Sequence, residues 1–142
     1  MKNLIVFFII SSMGVYAQAE EVVTDQELKQ FASAFQQVQK IDQQSQQNMI
    51  KAVEKEGLDV QRFNEIQQAQ QTPKQESDVS DEEIKKYETV SKKIEIIQEQ
   101  AQQKMQQVIK EEGLTLPRYQ EISEAIKNNS DLQNKLQEYL QD

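Results

Sequence analysis

The sequence predicts an all-α protein in which two repeated long-helix/short-helix hairpins pack as one elongated helical bundle. Three observations support this fold class. Apolar residues recur at steps of three and four through two long stretches, which is the period of an amphipathic helix. The chain aligns with itself without a gap at an offset of 56 residues, with 16 identities over 47 positions. Only 3 glycines and 2 prolines interrupt 142 residues, so helix breakers are rare.

Residues 1–19 have the order of a secretory signal peptide. Lys2 supplies a positive start, residues 4–10 are an unbroken apolar run, and Ala17-Gln18-Ala19 places small residues before a cleavage site. Cleavage after Ala17 fits the same rule, so both sites stay open. A retained membrane anchor is the alternative, but residues 4–17 number 14, whereas a spanning helix needs about 20. We therefore expect an exported protein, periplasmic or extracellular, with no stable membrane insertion after the signal is removed.

The composition excludes several classes of chemistry. The chain has no histidine and no cysteine, which excludes a Ser-His-Asp triad, a thiolate nucleophile, a zinc-thiolate site and a disulfide. Its 16 basic and 24 acidic side chains leave a net charge of −8, which argues against nucleic acid and anionic membrane surfaces as partners. We therefore predict no enzyme activity, no catalytic, cofactor-binding or metal-binding residues, and no cofactor.

The duplication divides the mature chain into a helical repeat 1 over residues 22–71, a linker over residues 72–78, and a helical repeat 2 over residues 79–142 that carries an extra C-terminal helix. Each repeat opens with the spacing of a capping box, Thr24 with Glu27 and Ser80 with Glu83. Hydrophobic staples flank both boxes: Val23 with Leu28, and Val79 with Ile84. These signals predict that each long helix begins directly after the serine or threonine.

Both long helices are predicted from an apolar stripe of about 30 residues, or roughly 45 Å of helix. The stripe of repeat 1 comprises Leu28, Phe31, Phe35, Val38, Ile41, Met49, Ala52 and Val53. The stripe of repeat 2 comprises Ile84, Tyr87, Ile94, Ile97, Ala101, Met105, Val108 and Ile109. Gly57 and Gly113 suit the left-handed position after a helix end, and the leucine that follows each can close a Schellman motif.

Short helices are predicted after each glycine. Asp59 and Thr115 are their candidate N-caps, and Pro117 is tolerated in the first turn, where donors are unpaired anyway. Their apolar faces are Val60, Phe63 and Ile66 in repeat 1, and Leu116, Tyr119 and Ile122 in repeat 2. Ser130 and Gln133 have capping-box spacing for a last helix. That helix carries Leu132, Leu136, Tyr139 and Leu140 on one face.

The helix ends carry a resemblance to a known family. The matching segments are Glu111-Glu112-Gly113-Leu114, Arg118-Tyr119, Glu121-Ile122 and Asp131-Leu132 in repeat 2, and Glu56-Gly57-Leu58 and Arg62-Phe63 in repeat 1. With the capped, glutamine-rich long helices, they resemble an uncharacterised exported bacterial family catalogued as domain of unknown function 4168, present here as two tandem copies. The resemblance implies export and carries over no activity, substrate or catalytic residue.

Several side chains invite a functional interpretation, and each has a simpler structural one. The acidic clusters Asp81-Glu82-Glu83 and Glu111-Glu112 lack the converging oxygens that calcium needs, so we predict solvated helix-end charge. Arg62 and Arg118 could clamp an anion, but we favour a stem packed on the neighbouring aromatic with a solvated head. Met49 and Met105 are predicted core fillers.

Glutamines crowd the middle of both long helices. Gln43, Gln44, Gln46 and Gln47 align with Glu99, Gln100, Gln102 and Gln103. A solvated helix face explains them most simply, and a polar docking surface for a protein partner is the alternative. Protein partners or self-association are therefore compatible with the sequence.

The apolar stripe loses its large residues at the same place in both repeats. The core-facing position holds Ser45 in repeat 1 and Ala101 in repeat 2. If a pseudo-two-fold axis relates the repeats, these small residues mark a close crossing of two antiparallel helices. Each acidic helix start then lies beside the other helix's end, near Lys55 or Lys110. A polar, exposed break in the stripe is the alternative, and the sequence leaves the two open.

The function expected from the sequence is that of a non-enzymatic protein-interaction or structural module of the bacterial cell envelope. The alternative is a chaperone-like or envelope-stress protein that holds clients on its helical faces. An exposed apolar groove would favour the alternative, whereas a closed bundle would favour the first function.

Overall fold

A computed structural model describes residues 22–71 and 78–141, which form five α-helices and no strand. These are α1 (Asp25–Lys55), α2 (Val60–Gln71), α3 (Asp81–Glu111), α4 (Leu116–Asn128) and α5 (Ser130–Gln141). The helices pack as one bundle of long and short helix pairs, which confirms the predicted fold class. The predicted signal peptide and residues 72–77 of the predicted linker lie outside the described residues. We refer to α1 and α2 as copy one, and to α3, α4 and α5 as copy two.

Both long helices begin with the predicted capping box. The backbone N–H of Glu27 donates to Thr24 Oγ1 at 3.2 Å, and the Glu27 carboxylate accepts from the backbone N–H of Thr24 at 2.9 Å. Ser80 and Glu83 repeat this arrangement at 3.3 and 2.9 Å. Each box satisfies two backbone donors that the first helical turn cannot pair, so it contributes about 1 kcal/mol.

Both long helices also end at the predicted glycines. Gly57 and Gly113 have φ of +73° and +85°, a left-handed conformation that disfavours any side chain. The backbone N–H of Leu58 donates to the carbonyl of Val53 at 3.3 Å, which is the six-to-one bond of a Schellman motif. Leu114 closes α3 in the same way at 3.1 Å. The chain reverses at each glycine, and the leucine that follows is buried, so each short helix starts beside the end of its long helix.

The core consists of two clusters, one at each end of the bundle, and both mix the two copies. The first is built from Leu28, Phe31 and Ala34 of α1 with Ile109, Leu114, Ile122 and Ile126 of copy two. The second is built from Val53, Leu58, Phe63 and Ile66 of copy one with Val90 of α3. The start of α1 therefore meets the end of α3, and the end of α1 meets the start of α3. This confirms the predicted antiparallel arrangement of the long helices.

Two long-helix residues of these core clusters, Ala34 and Val90, were not predicted from the apolar stripes. Ala34 and Val90 occupy equal positions in the two copies and have no exposed surface. Large side chains define a stripe in the sequence, whereas close helix packing also buries small ones.

The last helix is capped by Asn129 and not by the predicted serine. The side-chain oxygen of Asn129 accepts from the backbone N–H groups of Asp131 and Leu132 at 2.9 and 3.2 Å. The predicted Ser130–Gln133 box is therefore wrong. The Gln133 amide donates instead to the carbonyl of Ile126 at 2.9 Å, at the end of α4. Asn129 thus joins α4 to α5 through a sharp corner without a linker.

The same corner lets α5 fold back along α1, and this breaks the symmetry of the bundle. Leu132, Leu136 and Tyr139 pack against the first cluster. Ala32 of α1 is buried, whereas its equivalent Glu88 of α3 is exposed. Among the described residues no helix like α5 covers α3 at this position, so a charged side chain at position 88 can stay in solvent.

Candidate functional site

The arginines of the short helices bind the capping-box glutamates of the opposite copy. Arg118 donates from Nε to Glu27 Oε1 at 2.8 Å and from Nη2 to Oε2 at 3.1 Å. Arg62 forms the same fork with Glu83 at 2.7 and 3.1 Å. We call these two pairs the arginine clamps. The predicted solvated guanidinium is wrong for both, since the two arginine side chains are only 16% and 24% exposed.

The short-helix N-caps position the two arginines. The backbone N–H of Arg62 donates to Asp59 Oδ1 at 2.7 Å, and that of Arg118 donates to Thr115 Oγ1 at 3.2 Å. Each arginine therefore sits in the first turn of its helix, at the end nearest the opposite copy. Both predicted caps are confirmed, and they orient a guanidinium as well as starting a helix.

Each clamp keeps its glutamate ionised. Hydrogen bonds from Arg118 and from the Thr24 backbone lower the pKa of Glu27 to about 2. Hydrogen bonds from Arg62 and from the Ser80 backbone lower the pKa of Glu83 to about 2. A general acid or base works best with a pKa near the working pH, so these pKa values suit a structural ion pair. They also mean that the predicted solvated charge is wrong for Glu83.

Aromatic rings stack beside each clamp, again across the two copies. The rings of Phe31 and Tyr119 lie 4.6 Å apart between centroids with an interplanar angle of 26°. Phe63 and Tyr87 repeat the contact at 4.9 Å and 32°. Burial raises the pKa of Tyr119 to about 12. The arginine of each short helix therefore binds a glutamate of the opposite copy, and the aromatic residue that follows it stacks on a ring of the same opposite copy.

A second polar contact joins the copies near the ends of the long helices. Gln37 Nε2 donates to Glu112 Oε1 at 2.7 Å. At the equal positions of the other end, Lys93 forms a salt bridge with Glu56. We call these the C-cap pairs, because both glutamates are the C-caps of their helices. The prediction of solvated charge at Glu111-Glu112 is therefore wrong for Glu112, which is half-buried.

Ser45 and Ala101 meet in the middle of the bundle, as the close-crossing hypothesis predicted. They are 7% and 5% exposed, so the alternative of an exposed break is wrong at these two positions. Beside them lies a shallow depression of about 30 Å³. It is lined by four residues of α1, namely Ile41, Gln44, Ser45 and Asn48, and by their four equivalents, namely Ile97, Gln100, Ala101 and Lys104. The pseudo-two-fold axis therefore passes through this depression.

Two of the repeated glutamines, Gln44 and Gln100, line the depression at the crossing. Gln44, Gln47, Gln100 and Gln103 are all exposed. Gln46 is half-buried and donates to Asp42 within its own helix at 2.8 Å. The middle of the bundle thus presents uncharged amides around a shallow depression, in a chain whose net charge is −8.

Residues 22–71 and 78–141 offer neither a metal-binding cluster nor a membrane-spanning helix. In that part of the chain no set of three or more acidic, histidine or cysteine side chains is grouped to hold a metal ion. None of the helices described there combines the length and the apolar composition that crossing a membrane requires. Met49 and Met105, the predicted core fillers, are half-buried.

The glutamate partners of the two arginines were not predicted. A usable signal was present, because arginine and capping-box glutamate both recur at the 56-residue offset. If the two long helices are antiparallel about a pseudo-two-fold axis, the start of each short helix lies beside the start of the other copy's long helix, which brings the arginine to the glutamate. The prediction that Lys55 or Lys110 lies beside each acidic helix start considered only the two long helices and left out the short ones.

Comparison with known proteins identifies the repeated unit. No curated protein and no solved structure matches the chain. The family model described as "Domain of unknown function (DUF4168)" matches residues 12–75 and, a second time, residues 70–136. The two matches agree with the duplication derived from the sequence and with the two pseudo-symmetric copies. Together they cover most of the chain, which therefore belongs to the DUF4168 family and carries its domain twice.

Proposed function

We propose that the protein is an exported, non-enzymatic interaction module of the bacterial cell envelope, which binds a protein partner through the glutamine-rich surface at the helix crossing. One observation carries this proposal. The arginines and glutamates that recur in both copies are engaged with each other inside the fold, whereas four recurring glutamines of the crossing are exposed, namely Gln44, Gln47, Gln100 and Gln103. The duplication has kept these amides identical at positions where the core does not require them.

The chemistry of this surface indicates the kind of partner. Its amides offer both donors and acceptors, and Lys104 is the single charged residue that lines the depression. Protein interfaces carry about one hydrogen bond per 100–200 Å², which a field of amides can supply. Nucleic acid is not proposed as a partner, because the net charge of −8 opposes phosphate binding.

A chaperone-like role that holds clients on helical faces is less well supported. Such a role needs a contiguous apolar patch of several hundred Å². The residues of both apolar stripes are buried or half-buried, and many of them belong to the two core clusters or pack against them. Among the described residues, the large hydrophobic side chains with high exposure are Val22, Ile50 and Ile96, which lie in the segment before α1, in α1 and in α3.

The docking proposal is tested by capture from envelope extract with three forms of the mature protein. The first is the parent, the second carries Gln44→Glu and Gln100→Glu, and the third carries Gln26→Glu and Gln120→Glu. The third form is the matched control, because it adds the same charge at exposed positions away from the crossing. We expect a protein retained by the parent and the control and depleted about tenfold or more with the crossing variant, a loss of roughly 1.4 kcal/mol.

Two outcomes would count against this assignment. Equal capture by all three forms would exclude the crossing as the docking surface. Equal loss with the control would assign the effect to added negative charge alone. Circular dichroism of each form establishes that the helices are intact.

The proposed export has its own test. Mass spectrometry of protein recovered from the envelope or the medium should give a chain that starts at Gln18 or Glu20. Recovery of the chain with Met1 intact in the inner membrane would overturn the proposed signal peptide.

A further inference from the structure

The contacts between the two copies have the symmetry of a homodimer interface. Both arginine clamps, both ring stacks and both C-cap pairs join one copy to the other, and each contact recurs with residues 56 positions apart. In a two-fold interface, residue i contacts residue j and j contacts i, which is the pattern seen here within one chain. The surface that each copy presents is therefore self-complementary.

Neither core cluster is complete within one copy. Each of the two clusters combines buried side chains of both copies, so a separated copy would expose its half of both. The stripe of the long helix would lose its main partner, since α1 and α3 pack chiefly on each other. A copy that separates from the opposite copy therefore needs an equivalent copy to bury its apolar side chains.

We propose that a second copy of this chain fits the same interface, giving an exchanged dimer in which copy one of each chain packs on copy two of the other. Nothing in the clamps, the stacks or the crossing depends on the two copies belonging to one chain. The connection between Gln71 and Asp81 favours closure within the chain, because a short linker sets an effective concentration on the order of millimolar. Exchange restores every contact, including α5 on α1, and its cost is that of bringing two chains together.

The test uses two full mature chains with opposite charge reversals in one clamp. One chain carries Arg62→Glu and the other carries Glu83→Arg, so each chain alone has like charges in that clamp. In an exchanged heterodimer, the new glutamate of the first chain meets the new arginine of the second, and the other interface is that of the parent. Glu83→Arg also removes a capping hydrogen bond of α3, but it does so in monomer and dimer alike, so the comparison between them is not biased.

The two chains, one of them isotopically labelled, are mixed in urea, refolded together at about 100 µM, and examined by size exclusion with light scattering and by native mass spectrometry. We expect a one-to-one heterodimer whose dissociation constant is roughly a thousandfold below that of the parent dimer, because two like-charge contacts are relieved at once.

The matched control pairs Arg62→Glu with Glu27→Arg. Both substitutions lie in copy one, so exchange leaves each new charge facing its original like-charged partner, and we expect no heterodimer. The proposal fails if the complementary chains refold as separate monomers, or if both pairs give the same amount of dimer. If Glu83→Arg prevents folding, the C-cap pair supplies the same test with Glu56→Lys in one chain and Lys93→Glu in the other.

Discussion

Leucine at the helix crossing is the most direct test of how the two copies meet. Ala101 is 5% exposed and faces the equally buried Ser45. A leucine at position 101 adds three carbon atoms at a position that is already buried between the two long helices, and the adjoining depression is shallow. The new side chain must therefore separate α1 from α3 or adopt an unfavourable rotamer, so we expect Ala101→Leu to lower the free energy of unfolding by about 1–3 kcal/mol.

The measurement is urea unfolding at neutral pH, followed by far-ultraviolet circular dichroism. Ser45→Leu should give a loss of the same order, because the two positions are equivalent about the pseudo-two-fold axis. Gln47→Leu and Gln103→Leu are matched controls on the exposed side of the same helices. They should change the free energy of unfolding by no more than about 0.5 kcal/mol.

The comparison is valid if the slope of unfolding free energy against urea is the same for all variants, since the slope reports the surface exposed on unfolding. Ala101→Leu with a midpoint equal to that of the parent would contradict a close crossing. If Gln47→Leu lowered the free energy of unfolding as much as Ala101→Leu, the assignment of Ala101 to the interface side and Gln47 to the exposed side would be contradicted.

Three further outcomes follow from the local geometry. Gly57→Ala should lower the free energy of unfolding by about 1 kcal/mol, because its φ is +73° and the added Cβ meets no atom within 4 Å; an unchanged urea midpoint would contradict this. The pKa values of Glu27 and Glu83 are lowered to about 2 from 4.5, so their contribution to the free energy of unfolding is complete above pH 4.5 and is lost as the pH falls toward 2. The double variant Glu27→Gln, Glu83→Gln should therefore show a urea midpoint that depends less on pH over that range. Asn129→Ala should cost about 1 kcal/mol in thermal unfolding and Ser130→Ala much less, and equal losses would refute the assigned cap.

The local parts of the fold were predictable because their signals are local. The capping boxes at Thr24 and Ser80 and the left-handed glycines at positions 57 and 113 each depend on residues within a few positions. The one cap that was predicted wrongly, Ser130, lies beside Asn129, and both residue types suit a helix start. The choice between such neighbours depends on the corner that joins α4 to α5, which is a tertiary feature.

The candidate site was only partly predictable. The small residues at the crossing and the amides around it followed from the internal alignment, because the duplication made equal positions comparable. The arginine clamps did not follow, since a charged side chain on a helix surface is usually solvated unless a partner is brought to it. For Arg118 that partner is 91 residues away in the sequence, and for Arg62 it is 21 residues away.

The sequence by itself determined the five helices' type, most of their ends and the two-fold repetition of the pattern, because backbone capping and hydrophobic periodicity act over a few residues. Only the tertiary structure decided that each short helix reaches across to the opposite copy and that α5 lies on α1. An apolar stripe specifies which side of a helix is buried but not what buries it, so each short helix could have packed on its own long helix alone. The antiparallel crossing at Ser45 and Ala101 settled that choice, because it brings the start of each long helix beside the short helix of the other copy.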